Sequence, residues 1–251
     1  MRGLELIVAD AWFDLLARSL NRLQPQRLEA ALSALPRITG PALLVGSAPS
    51  PTRPIGVGDD WFLISVNASQ TVLETFGLRE PDLTVLRNGL LDRNNLPNGE
   101  DLSRSVWDAL SGRATRHLLA STVVAADRNI DRVFASKGFR ADAYSEIDRH
   151  ARAALVHEMS GVMLPAQGGP RSMSNGIFAA ALALKLGASP VVMAGFSAKG
   201  GWSQLPGRQA LRIHLEGDVR ACRGFVRRGL PIASSEAAFS ALTGIPLWTG
   251  A

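Results

Sequence analysis

Apolar residues fall into two rhythms along this chain. Short, mainly apolar runs occupy 42–45, 61–66, 83–86, 117–124, 191–193 and 230–233. Runs of this length bounded by Gly, Pro or Asn predict strands covered on both faces, as in a parallel sheet. Between them, apolar positions recur at helical spacing over 4–23, 25–35, 69–76, 102–110, 130–136, 177–186, 218–228 and 234–242. Pro25 suits the first turn of its helix, and Ser234 reads as the N-cap of the last one. Alternation of the two rhythms predicts an α/β fold, a Rossmann-like parallel sheet with helices on both faces. Residues 1–40 read as an N-terminal helical segment and 41–251 as the sheet domain. Neither rhythm holds over 144–169, which ends in Gly168-Gly169-Pro170, so a less regular lid is expected over about 140–170.

The densest unit is 171–195. Ser174-Asn175-Gly176 is a polar turn opening an apolar helix, Gly187 ends that helix, and Val191, Val192 and Met193 form a strand closing at Gly195. Open sheets bind ligands at helix N-termini and at the carboxyl ends of strands, and this unit carries small polar residues at both.

Other strand ends share that character. The first strand runs into Gly46-Ser47-Ala48-Pro49-Ser50, a small-residue turn that backbone N–H groups can present to a phosphate or ribose. It matches neither the dinucleotide fingerprint nor the P-loop. The second and third strands end at Asn67 and Asn88. An amide both donates and accepts, so it can read ribose hydroxyls or a base edge, and it is also a common turn residue. After Gly195 comes a glycine-rich loop holding Ser197 and Lys199, the lysine being a phosphate partner or an exposed loop residue. His214 and Asp218 stand one helical turn apart, readable as a helix cap with a first-turn acid or as a catalytic pair. His150 and His157 lack a supporting carboxylate pattern and read as structural or surface residues.

Composition adds bounds. The 251 residues, 46% hydrophobic, suffice for one large α/β domain. No apolar run reaches the about 20 residues a membrane span needs, and the N-terminus carries no convincing signal peptide. A lone cysteine, Cys222, makes no internal disulfide and suits a reducing cytoplasm; it reads as a passive, half-buried thiol. The net charge is +5, which favours anionic partners. That charge is spread along the chain without interleaved aromatics, so nucleic acid is not an expected partner. A cytoplasmic location, peripheral membrane contact and a homo-oligomer are all compatible with it.

Taken in order, these motifs resemble those of the bacterial CMP-sialic acid-dependent sialyltransferases, glycosyltransferase family forty-two. Gly46-Ser47-Ala48-Pro49-Ser50 stands where that family has Gly-Asn-Gly-Pro-Ser. Asn67 and Asn88 match its asparagines after the second and third strands. Ser174-Asn175-Gly176 through Gly195-Phe196-Ser197 is similar to its Thr-Ser-Gly, Ala-rich helix, Leu-Gly and strand ending Gly-Ile-Asp. His214 with Asp218 is similar to its His-x-x-x-x-Asp, whose His is the catalytic base. The likeness spans about 42–88 and 171–242. Two departures are Ser47 in place of Asn and the absence of the two tyrosines that hold the donor phosphate, where Lys199 offers the remaining charge.

The resemblance implies a sialyltransferase variant of the GT-A-like fold, with a nucleotide-binding domain over 41–251. It implies transfer of an acidic sugar, sialic acid or Kdo, from a CMP donor to a surface glycan or glycolipid. His214 would be the general base and Asp218 an orienting or acceptor-side group. Gly46, Ser47, Asn67 and Asn88 would hold cytidine and ribose; Ser174, Asn175, Gly176, Ser197 and Lys199 would face the phosphate. No metal and no cofactor beyond the donor is expected, since a single departing phosphate needs Mg²⁺ less than a diphosphate does. Two rivals stand beside this reading. One is a non-catalytic nucleotide- or glycan-binding protein, the other a Mg²⁺- and ATP-dependent enzyme of the pterin diphosphokinase type.

Overall fold

The computed structural model describes residues 25–87, 99–122, 134–166, 171–198 and 214–250, apart from the side chains at 25–27, 99–103 and 122. Helix α1 (Pro25–Ser33) leads into β1 (Gly40–Val45), β2 (Phe62–Val66), α2 (Gln70–Thr75), β3 (Leu83–Arg87), α3 (Gly99–Leu110) and β4 (Ala114–Thr122). There follow β5 (Arg140–Asp148), α4 (Arg149–Ser160), α5 (Asn175–Leu186), β6 (Ala188–Ala194), α6 (Leu215–Arg227), β7 (Ile232–Ser234) and α7 (Ala237–Thr243). The strands pair in parallel in the order β5-β4-β3-β2-β1-β6-β7. The Rossmann-like α/β expectation holds. The order reverses between β1 and β6, and an open sheet has its ligand crevice at the carboxyl ends of the strands there.

Alternation along the strands sorts side chains onto two faces. Ala42 and Leu44 of β1 join a core with Leu155 of α4, Leu182 of α5, Phe225 of α6 and Phe239 of α7. Leu43 and Val45 point to the other face, against Val72 and Leu73 of α2, and Leu86 and Leu118 meet Trp107 of α3. Each fully buried Leu, Ile or Phe contributes about 1.5–3 kcal/mol.

Helix α5 is buried nearly all round, because the sheet lies on one side and α4 and α6 belong to the same core. Its N-cap Ser174 accepts the Ile177 N–H at 3.2 Å, and Gly187 closes it at φ 109°. The Ile38 N–H donates to Leu186 O, so the far end of α5 sits near the amino end of β1. The helix therefore runs back across the sheet and begins at the carboxyl rim. At the opposite, amino edge, Asp82 accepts the Leu63 N–H at 2.8 Å and pairs with Arg79 and Arg116. That buried acid holds β2 and β3 together and is remote from the crevice.

The structure corrects three expectations. The stretch read as an irregular lid forms β5 and α4 over 140–160. Its strand escaped notice because β5 is an edge strand, exposed over Arg140–Ala143, with only Ser145 and Ile147 buried. Ser234 lies in β7, bonding to Met193 O, and Glu236 takes the N-cap position of α7. Cys222 is fully buried in α6 rather than half-buried. The expected helix over 4–23, Asn88, most of the helix at 130–136 and Lys199 lie outside the described residues. Among the described residues, no helix is long and apolar enough to cross a membrane.

Candidate active site

Three helices, α4, α5 and α6, start at or beside the carboxyl rim; the first turns of α4 and α5 touch strand ends through side chains, and that of α6 touches the turn before α5. Asn67 follows β2 in the left-handed region at φ 54°, a conformation Asn tolerates better than most residues. Its Oδ1 accepts the Arg87 N–H at 3.2 Å and faces the Asn175 Nδ2 at 3.3 Å. The two amides thus tie the end of β2 to the start of α5. Ser69, fully buried, supports this corner by donating to Val45 O and accepting the Val66 N–H.

Helix α6 docks against the turn before α5. His214 Nδ1 lies 2.6 Å from Ser172 Oγ. Asp218 is fully buried, and its Oδ1 accepts the Ser174 N–H at 2.8 Å. A solvated first-turn acid is therefore ruled out for Asp218: its carboxylate fixes the α5 turn. Gly217 makes the approach possible, since a Cβ there would lie 2.1 Å from Ser172 O and 2.6 Å from Arg171 O. Arg171 and Glu216 close the outer side at 3.2 Å.

Arg152, in the first turn of α4, is the residue that sequence reasoning missed. Its Nη1 donates to Ser121 Oγ at 2.6 Å and its Nη2 to Asn175 Oδ1 at 2.8 Å. The guanidinium lies 4.9 Å from the centre of the Phe178 ring. Burial first, and then the nearby Arg87 charge, lower its pKa to about 10, so it stays cationic at neutral pH. Nothing local in Arg149-His150-Ala151-Arg152 marks it among so many arginines.

The crevice between β1 and β6 is lined by close backbone approach. Gly46 N–H donates to Ala194 O and Ala48 N–H to Gly195 O. A Cβ on Gly46 would lie 2.6 Å from Gly195 O, and one on Gly176 would lie 2.3 Å from Cε1 of Phe196. Packing thus explains both glycines, with the Phe196 ring filling the space beside the α5 turn. Glu236, also missed, accepts the Thr52 and Gly195 N–H groups through Oε1 at 2.9 and 2.8 Å. It joins the loops after β1 and β6. Ser47 and Ser197 follow these two strand ends, both half-buried.

Of the residues expected at the site, Asn67, Ser174, Asn175, Gly176, His214 and Asp218 come together, while Gly46, Ser47 and Ser197 lie at the adjoining crevice. Asn88 and Lys199 lie outside the described residues. His150 Nε2 accepts from Arg149 Nε, and His157 Nδ1 is buried without a hydrogen-bond partner among the described residues. Among the described residues, no group of three or more His, Cys, Asp or Glu is arranged to hold a metal ion.

No protein-family model matches the chain, and no curated protein matches it in sequence. Solved structures do match in fold. The sialyltransferase CstII of Campylobacter jejuni with the substrate analogue CMP-3FNeuAc aligns at TM-score 0.46 and 10% identity, over 84% of this chain and 86% of that one. The monofunctional alpha-2,3-sialyltransferase Cst-I of the same organism aligns at TM-score 0.50 and 11% identity, over 84% of this chain and 80% of that one. At such identity the likeness is one of fold: this chain shares the parallel α/β architecture of Cst-I.

Proposed function

We propose that this chain is a glycosyltransferase that moves an acidic sugar, of the sialic acid or Kdo type, from a CMP donor to a glycan acceptor. The observation carrying this reading is the continuity of the rim. His214, Ser172, Asp218, Ser174, Asn175 and Asn67 come from three separate stretches and meet through hydrogen bonds and adjacent positions in one turn. The ordered motif resemblance and the fold shared with Cst-I support it.

On this reading the Nδ1–H of His214 donates to Ser172 Oγ, which fixes the tautomer whose Nε2 is the basic nitrogen, and Nε2 takes the proton of the acceptor hydroxyl. As His214 takes that proton, the acceptor oxygen bonds the anomeric carbon. The bond from that carbon to the phosphate oxygen breaks, and CMP leaves with the electron pair. General-base catalysis of this kind supplies about 10²–10⁴-fold. Negative charge grows on the departing phosphate, where the N–H groups of Asn175 and Gly176 serve as preorganised donors, those of Ser174 and Ile177 being engaged by Asp218 and by the Ser174 side chain. Asp218 fixes the turn presenting them and acts as a positioning residue. Asn67, Ser47 and Asn88 read the cytidine and ribose, with Ser197 and Lys199 at the phosphate. The acceptor is a surface-glycan precursor, and the basic surface faces anionic glycolipid.

The test uses the full chain with CMP-sialic acid and CMP-Kdo. CMP should raise the melting temperature and ATP with Mg²⁺ should not. His214→Ala should slow sugar transfer about 10²–10⁴-fold while CMP affinity stays within a few-fold. A thermal shift with ATP–Mg²⁺ and none with CMP, or transfer by His214→Ala within a few-fold of wild type, overturns the assignment.

A further inference from the structure

Arg152 differs from the ion-paired arginines among the described residues. Arg79 and Arg116 pair with Asp82, Arg113 with Glu74, and Arg171 with Glu216. Arg152 reaches only neutral groups among the described residues: Ser121 Oγ, Asn175 Oδ1 and the Phe178 ring. Among the described residues its Nε is shut off from solvent and has no hydrogen-bond partner. Arg152 is half-buried with its Nε wholly shut off, and a guanidinium withdrawn from water to that degree is costly unless an anion compensates it, so such a residue calls for a counter-charge.

The surroundings deepen the deficit. Arg152 sits in the first turn of α4, where the helix end is itself positive, and bonds to the first residue of α5, a second positive helix end. Arg87, at the end of β3 and paired in register with Ser121, adds another cation. The nearby acid Asp148 is engaged as the α4 N-cap, accepting the His150 and Ala151 N–H groups.

We propose that Arg152, with Arg87 beside it and Ser121 and Asn175 holding its guanidinium, forms an oxyanion-binding site at the carboxyl ends of β3 and β4, for a phosphate or carboxylate of a small ligand. Two of the five guanidinium N–H groups are engaged, so donors remain for the ligand oxygens. The site adjoins Asn67 and Asn175, and within the transferase reading it receives either the donor phosphate or the sugar carboxylate. Only the identity of that ligand rests on the reading; the anion site stands on the unpaired guanidinium.

The experiment titrates the purified full chain with sodium phosphate at constant ionic strength, then with CMP against cytidine, and with N-acetylneuraminate against its methyl ester. Phosphate should stabilise the wild type. Arg152→Gln should weaken phosphate and one charged ligand about 10- to 100-fold while changing its uncharged counterpart less than about twofold. The weakened pair, CMP or neuraminate, names the source of the anion. If Arg152→Gln fails to fold, Arg152→Lys and the exposed Arg87→Gln carry the test, each expected to weaken phosphate several-fold. Unchanged phosphate binding in the folded variants overturns the site, whatever CMP does. Arg152-dependent phosphate binding without CMP binding upholds the site and removes the transferase reading.

Discussion

Gly217→Ala puts local propensity and tertiary packing in direct conflict. Gly217 is the third residue of α6, and alanine in a helix is favoured over glycine by about 0.8–1.0 kcal/mol. Helix propensity alone thus expects the variant to be more stable. The fold expects the reverse, because the new Cβ would lie 2.1 Å from Ser172 O and 2.6 Å from Arg171 O, both backbone atoms that cannot rotate aside. Overpacking of this kind costs about 1–3 kcal/mol. If α6 retreats by about an ångström, the charge-assisted bond from Ser174 N–H to Asp218 is weakened as well, and such bonds are worth about 1.5–3 kcal/mol. With that bond lost outright, setting the propensity gain against both losses gives a net destabilisation of about 1.5–5 kcal/mol. For a chain of this size that is a fall of about 2–4 °C in melting temperature per kcal/mol. Urea unfolding should show a lower midpoint with an unchanged slope. A midpoint equal to or above wild type would refute the close docking of α6 on the Ser174 turn.

Two further outcomes are expected. Gly176→Ala should cost about 1–3 kcal/mol alone, yet be neutral or slightly stabilising beside Phe196→Ala, because the clashing ring is then gone; additive effects in the double-mutant cycle would argue against this contact. His117 has its pKa lowered by burial, so below about 6.5 the unfolded chain takes up a proton that the folded chain resists, and stability present above that pH is lost as it falls. His117→Gln should lose less stability than wild type between about pH 7.5 and 5.5, read from urea midpoints, and equal losses would contradict the assignment.

The parallel sheet was legible because its inner strands carry their burial in adjacent residues. Ala42 to Val45 and Val191 to Met193 are apolar at every position, as a strand covered on both faces must be. Asn67, Ser174 and His214 were legible as strand-end or helix-start residues, since polar groups at those places follow from chain-local chemistry. Edge strand β5 was not, because half of an edge strand faces solvent and its sequence reads as loop. Glu236 and Arg152 were invisible for a related reason: neither differs in local setting from an ordinary surface charge.

By itself the sequence determined the inner strands and most of the helices between them, and which small or polar residues end them, because those properties depend on near neighbours; β5 and α4 lay beyond it. Only the tertiary structure decided that Asp218 meets Ser174 across 44 residues and that Arg152 meets Asn175 across 23. Partnerships at that range are set by how the crossovers return each helix to the carboxyl rim. No local pattern encodes them.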